Sequence, residues 1–372
     1  MRLIVTGIGM VTALGYGRTG TCAAMRAGLS SARELPGFMV DDGDGEIASA
    51  RGHPIPGFAE GFFQAGAWVR LASGALEDLL YDGGAPLLPA SAWSRTGLIA
   101  ITPLLDPGRF MWPIDQKPDV LTESFTVPLQ ELLGLPVAPE NLQAVASGHS
   151  GLGVALQRAA ELITSRRVDR VVVVGADSYL DGLSLEWLLQ HRRLKGAEAP
   201  TGLLPGQAGS CLLVESDVVA RTRGAPVWGQ VAAVSVKAPP PEDPPDLNRW
   251  GRLLAEAMTD VLAAVGAKTP FRGELVLDLN GESWRAHVWG MAQVLLANQV
   301  DFSGCRALLP CEALGEIGAA GGGVGAGLAL SGFWDREAVH QDAVVCCLSE
   351  AGQVAAVLLR RTGPALEVQS RS

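Results

Sequence analysis

The chain has 372 residues, 48% of them hydrophobic and 18% charged, enough apolar material to bury a large core and more than a small binding module needs. A formal net charge of −10 and a pI near 5.1 argue against nucleic acid or an anionic membrane surface as a partner. The opening Met1-Arg2-Leu3-Ile4-Val5-Thr6-Gly7 turns polar too early for a signal peptide, and no apolar run reaches membrane-spanning length, so a cytoplasmic location without a membrane partner is expected. The six cysteines, Cys22, Cys211, Cys305, Cys311, Cys346 and Cys347, have neither CxxC nor Cys/His ligand spacing. Buried free thiols are expected rather than a disulfide framework or a metal site.

In chain order, a strand at 3–5 runs into Gly7-Ile8-Gly9-Met10-Val11-Thr12-Ala13-Leu14-Gly15, which lacks the GxGxxG spacing of a dinucleotide turn. No phosphate loop, flavin or nicotinamide motif occurs, and no cofactor is expected. Residues 34–62 are rich in Gly, Asp and Pro and read as a surface loop; 68–80 reads as a helix, 98–102 as a strand and 121–133 as mostly helical. A strand at 142–145 then enters Ala146-Ser147-Gly148-His149-Ser150-Gly151-Leu152. From Leu152, Ala155, Leu156, Ala159 and Ile163 share one helical face while Gln157, Arg158 and Glu161 lie opposite, the pattern of a core-packed helix. The run of β-branched residues at 170–177 reads as a strand covered on both faces, so the helix between is a parallel crossover. Residues 203–210 lead into a strand at 211–214, and the first half closes near residue 222.

Residues 223–372 repeat the plan. A strand at 227–236 is followed by a proline-rich connection at 238–245 and a helix bearing Leu254, Ala257, Met258, Val261 and Val265 on one face. A strand at 274–279 reaches Asn280-Gly281-Glu282-Ser283; a helix is expected at 284–298, and 308–315 leads to Ile317-Gly318-Ala319-Ala320-Gly321-Gly322-Gly323 at the head of a small-residue helix. Strands at 343–348 and 354–359 form a hairpin around Ser349-Glu350-Ala351-Gly352.

The opening Ile4-Val5-Thr6-Gly7-Ile8-Gly9-Met10-Val11-Thr12, the turn and helix at 146–163, the strand ending at Asp177, Pro205-Gly206-Gln207-Ala208-Gly209, and 315–322 occur in the order and spacing of the β-ketoacyl-ACP synthases. The chain resembles that family along its whole length. The resemblance implies an α/β fold of thiolase type: two similar halves, residues 1–222 and 223–372, each with a mixed five-stranded sheet, in five layers around two buried helices that begin near Leu152 and Gly318. It also implies pairing through the strand at 142–145, as a homodimer or as a heterodimer with an active ketosynthase, and acyl carrier protein or acyl-CoA as partners.

The chain departs from the family at each chemical position. Where the family carries an acyl-accepting cysteine at the head of the first buried helix, His149 stands, and the nearest cysteine is about sixty residues away. The two positions usually held by histidine, or by histidine and asparagine, correspond to Asn280 and Glu316. The aromatic gate of the family's last loop is replaced by Ser349-Glu350-Ala351-Gly352-Gln353. Two readings follow. In one, the chain is a non-condensing partner resembling the chain-length-factor subunits, and the three polar residues satisfy one another in a disused pocket. In the other, it is an acyltransferase or thioesterase in which His149, kept neutral by the helix terminus, is base or acyl acceptor, Glu316 orients it and Asn280 holds an oxyanion. Ser150, Glu282, Gly318 and Ser349 are the candidate substrate contacts. Ser147 and Ser150 flank the histidine as candidate nucleophiles or as cap and turn residues, the commoner role of a serine there, and Asp278, on the strand face of Asn280, and Glu282 are candidate further carboxylates. The basic run His191-Arg192-Arg193-Leu194-Lys195 reads as a solvated loop or a docking patch, and His287 lies in a helix whose tryptophans read as core or dimer contacts.

Overall fold

A computed structural model describes residues 2–41, 45–81, 87–111, 118–266, 270–335 and 338–362. Its strands are β1 (Leu3–Thr12), β2 (Arg33–Asp41), β3 (Ile47–Gly52), β4 (Thr96–Thr102), β5 (Leu142–Ala146), β6 (Arg170–Ser178), β7 (Gln207–Ser216), β8 (Gly229–Lys237), β9 (Glu274–Leu277), β10 (Arg306–Leu308), β11 (Asp342–Leu348) and β12 (Val354–Arg360). All but β2 and β3 join one sheet in the order β10-β9-β11-β12-β8-β1-β7-β6-β4-β5. The five strands from β1 to β7 and the five from β8 to β12 follow the same internal order. In each set the second and fourth strands are parallel neighbours and the last two are antiparallel.

Alternation along the strands sorts their side chains into layers. Val172, Val174 and Leu213 face the helix Ala65–Tyr81, whose Leu71 and Leu76 they meet. Val171, Val173 and Val214 point the other way, into a central core shared with Val276, Val345 and Val357 of the second strand set. Leu275, Leu277, Val344 and Cys346 then cover the helices Leu247–Ala264 and Ser283–Leu296. Both inner sheet faces therefore close on the same core, which contains the helices Gly151–Thr164 and Gly321–Gly332. This is a helix–sheet–helix–sheet–helix stack, and both central helices have the small residues their crowding requires: a Cβ at Gly322 would sit 2.9 Å from that of Leu152.

Three features differ from the sequence reading. The two sheets are not separate, because Leu3, Ile4 and Val5 pair with Val231, Gln230 and Gly229, so the sheet is continuous where it folds over. Residues 34–62 are not all loop: β2 and β3 form an antiparallel hairpin. Its strands are largely exposed: besides Gly52 only Leu35 and Ala50 are buried, the latter two against Tyr179, Trp187 and Leu188. With one weakly apolar face, the segment lacks the run of β-branched residues by which strands are recognised. The helical stretch Pro118–Leu121, Thr122–Thr126 and Val127–Leu132 contains a π-helical turn in its middle. Among the described residues no helix is long and apolar enough to cross a membrane.

Candidate functional site

The two central helices are each entered through a short 3-10 turn, Gly148–Ser150 and Gly318–Ala320, and the two turns touch. Gly148 and Gly318 adopt nearly the same left-handed backbone, with φ of 51° and 48°. At Gly318 glycine is doubly required, because a Cβ would lie 1.8 Å from Asp177 Oδ2. His149 is the residue after the first glycine and is buried. The residue in the corresponding place on the second turn is Ala319, so only one of the two helix heads carries a titratable side chain there.

The structure brings His149, Asn280 and Glu316 together. His149 Nε2 lies 2.8 Å from Glu316 Oε1, and Asn280 Nδ2 donates to Glu316 Oε2 at 2.5 Å and to Glu282 Oε2 at 2.9 Å. Glu316 Oε1 also accepts the Gly318 N–H at 2.8 Å, and Asp177 Oδ2 accepts that of Ala319 at 3.1 Å. The N–H groups at the second helix head, which could have held an acyl oxygen or an anion, are thus taken by the chain's own carboxylates. Asp177 is fixed in turn by Arg109, whose Nη2 donates to Asp177 Oδ1 at 2.7 Å.

Sequence reasoning missed the residue that dominates this cluster. Arg285 is fully buried. Its Nη2 lies 3.0 Å from His149 Nε2, while Nη1 donates to Asp278 Oδ2 at 3.0 Å and to the Leu348 carbonyl at 2.7 Å. A guanidinium only donates and a carboxylate only accepts, so Nε2 cannot bond to both. Burial alone raises a carboxyl's pKa, yet His149, Arg285 and the Gly318 N–H together hold Glu316 well below the usual carboxylate range. The proton therefore sits on Nε2 and is donated to Glu316, with Arg285 held beside the ring by Asp278 and Leu348. The only signal in the sequence was position: Arg285 is one helical turn beyond Glu282.

The surroundings of His149 work against the neutral form expected from its place at a helix head. Burial is the largest influence and presses its pKa down, as does Arg285, but the charge and hydrogen bond of Glu316 together with Asp278 overcome both, and the net displacement is upward from 6.5.

The remaining candidates have structural partners. Ser150 Oγ is 2.9 Å from the Ser147 carbonyl and 2.7 Å from the Gln353 side-chain amide, tying the helix head to the β11–β12 turn. Ser147 precedes the first 3-10 turn without a side-chain capping bond. Ser349 is buried, and its hydroxyl accepts from the Ala351 N–H within the hairpin turn. Glu282 forms a two-pronged pair with Arg193 at 2.6 and 2.8 Å, and Arg193 Nη2 reaches Glu350 at 2.7 Å. The basic run at 191–195 is therefore not uniformly solvated: its central arginine faces inward. His287 is exposed and bonds to Asn248, while Trp284 and Trp289 pack on Trp250 and Phe302.

Little room is left beside the ring. A cavity of about 20 Å³, room for about one water, is lined by His149, Asp278 and apolar side chains including Ile317 and Val345. Cys311, Cys346 and Cys347 line it too, but burial pushes each thiol up and away from the reactive thiolate. Among the described residues no cluster of His, Cys, Asp and Glu could hold a metal ion.

No protein-family model and no curated protein matches the sequence. Solved structures do. The oxazolomycin ketosynthase domain of Streptomyces albus JA3453 superposes with a TM-score of 0.74 at 15% identity, over 98% of this chain and 74% of that one. The ishigamide ketosynthase/chain length factor gives 0.71 at 20% identity, over 98% and 100%. A type II polyketide-synthase ketosynthase, solved with its acyl-carrier protein and bound to a hexaketide, gives 0.75 at 15%, over 97% and 99%. With the repeated strand order and the two buried helices, these matches identify the architecture: the chain has the thiolase-like fold of the ketosynthases.

Proposed function

We propose that the chain is a non-condensing, chain-length-factor-like partner subunit of a ketosynthase in polyketide or fatty-acid-type synthesis. It would pair through the edge strand β5 with a subunit that carries the acyl-accepting cysteine, and would meet acyl groups delivered by acyl carrier protein. The reading rests chiefly on how His149 is held. A side chain bonded through Nε2 to Glu316 at 2.8 Å, with the Arg285 guanidinium 3.0 and 3.4 Å from its two ring nitrogens and a cavity of only about 20 Å³ beside it, is poorly placed to act on an acyl thioester. The site is filled by buried ion pairs among His149, Glu316, Arg285 and Asp278, with only Arg285 Nε left without a hydrogen bond.

One observation favours the acyltransferase or thioesterase reading: the 2.8 Å contact of Glu316 with His149 has the geometry by which a carboxylate orients a catalytic base. The base so oriented would need its other nitrogen free, and Nδ1 is 3.4 Å from Arg285.

The decisive experiment is intact-mass spectrometry of the pure protein with a panel of acyl-CoA and acyl-carrier thioesters, following thiol release against a His149→Ala control. No adduct and no release above background are expected, together with a stable complex on co-expression with a cysteine-bearing ketosynthase. Release that vanishes in the variant would overturn the proposal in favour of the second reading.

A further inference from the structure

The second central helix, Gly321–Gly332, carries the site just described at its head. At its other end, roughly 18 Å away at 1.5 Å per residue, lies a cleft that this site does not use. Its inner part has a volume of about 60 Å³ and opens into an outer part of about 340 Å³ that shares Glu274, Arg306, Gly332 and Asp335 with it. The floor is apolar, with Met25, Leu308 and Leu328. On the inner wall, among the described residues, Glu274 Oε2, on a side chain 7% exposed, has no hydrogen-bond partner, and the hydroxyl of Ser331, a residue also 7% exposed, has beside it only the weakly bonding thiol of Cys22. A buried acceptor left without a donor costs about 1–3 kcal/mol, more if charged.

The surroundings decide which donor fits. The C-terminal end of a twelve-residue helix carries partial negative charge, which favours a cation. Among the described residues Glu274 has one weak partner, Arg306 Nη1, 3.4 Å from Oε1, on a side chain 57% exposed and free to swing outward. The other arginine of the cleft, Arg26, is engaged with Asp335. Burial raises the pKa of Glu274, with Arg306 opposing it, consistent with a carboxylate short of positive charge. We propose that this cleft is a binding site for a small aliphatic ammonium compound. The head group donates to Glu274 Oε2 and Ser331 Oγ, displacing Arg306, and the alkyl chain lies on Leu308 and Leu328.

The test measures binding of n-butylammonium and cadaverine to the full chain by calorimetry and thermal shift, with butyrate and n-butanol as probes of the same size. The amines are expected to bind and raise the melting temperature, and the other two to do neither. Glu274→Gln should weaken amine binding at least tenfold, and Arg306→Ala should tighten it several-fold by freeing the carboxylate. If Glu274→Gln lowers the melting temperature of the free protein, Arg306→Ala and Ser331→Ala carry the test. The proposal fails if no amine binds, if Arg306→Ala leaves affinity unchanged, or if butyrate binds as well as the amines, which would make the arginines the determinant.

Discussion

Glu316 stands between two cations. Its Oε1 takes the proton of His149, and its Oε2 lies 3.9 Å from Arg285, which itself touches the imidazole. Removing that carboxylate leaves a buried arginine against a buried histidine with no anion between them. Glu316→Gln is expected to destabilise the fold by about 3–5 kcal/mol, the usual cost of orphaning one partner of a buried pair. The same change should drop the His149 pKa below its ordinary value, since burial and Arg285 both press downward once Glu316 is gone. Urea unfolding and an NMR titration of the ring test both effects, and an unaltered titration would mean that Arg285, not Glu316, governs the imidazole. A triple replacement of His149, Arg285 and Glu316 by leucine or methionine should cost far less than the single one, because buried ion pairs replaced together by apolar groups are often neutral.

At the scale of elements, β5 is the strand on which pairing would depend. Among the described residues only β4 pairs with it, at the end of the sheet, and the helical stretch 118–126 lies against its other side; an edge without a strand partner is a template for another chain. The Gln143 carbonyl is turned away from β4 and accepts the Thr126 hydroxyl at 3.2 Å. In a parallel strand the N–H of a residue points to the same side as its carbonyl, so the Gln143 N–H also faces outward. Gln143→Pro removes that outward donor without breaking the β4 ladder. Light scattering of the chain, alone and co-expressed with a ketosynthase, should show loss of pairing with the fold intact; undiminished assembly would place the interface elsewhere. Much of this scale was legible in the sequence. The helix from Leu152 and the β11–β12 hairpin follow from periodicity and turn residues, whereas the convergence of Asn280 and Glu316 on His149 was implied only by the resemblance to the β-ketoacyl-ACP synthases. The β2–β3 hairpin was not legible, because half-exposed strands carry no dense apolar signal. Arg285 was not legible either: an arginine in a helix reads as solvated until the tertiary structure closes over it.

The whole molecule should respond to pH from both sides. His53 is fully buried, and the backbone of Ala313 beside its ring offsets that burial only in part. Burial, with Arg51 acting the same way, lowers its pKa from 6.5 to about 4. An unfolded chain binds this proton below pH 6.5 and the folded one does not, so stability falls as pH drops from 6.5 toward 4. The depressed carboxyl of Glu316 adds to the loss below its ordinary value of 4.5, where the unfolded chain takes up a proton that the folded one refuses. His149 acts on the other side: its raised pKa contributes stability that is complete below 6.5 and is lost as pH rises through its folded value. The urea midpoint should therefore peak near neutrality. His53→Leu should flatten the limb between pH 6.5 and 4 and leave the alkaline limb alone; an unchanged acid limb would remove His53 from the account.

The folding over of the sheet at β1 and β8 has one more consequence. The inner faces of both strand sets, with Val173 on one side and Val345 on the other, bury themselves on a single shared layer, so what serves as the centre of this molecule has the anatomy of an interface. Two half-length chains with this strand order could cover those faces only by finding each other, and their survival would vary with dilution. Here the helix Asp217–Thr222 and the few residues before Gly229 tether the partners, and a short tether holds them at an effective concentration of order millimolar. The covalent link turns an association into a fold, and stability becomes independent of how much protein is present.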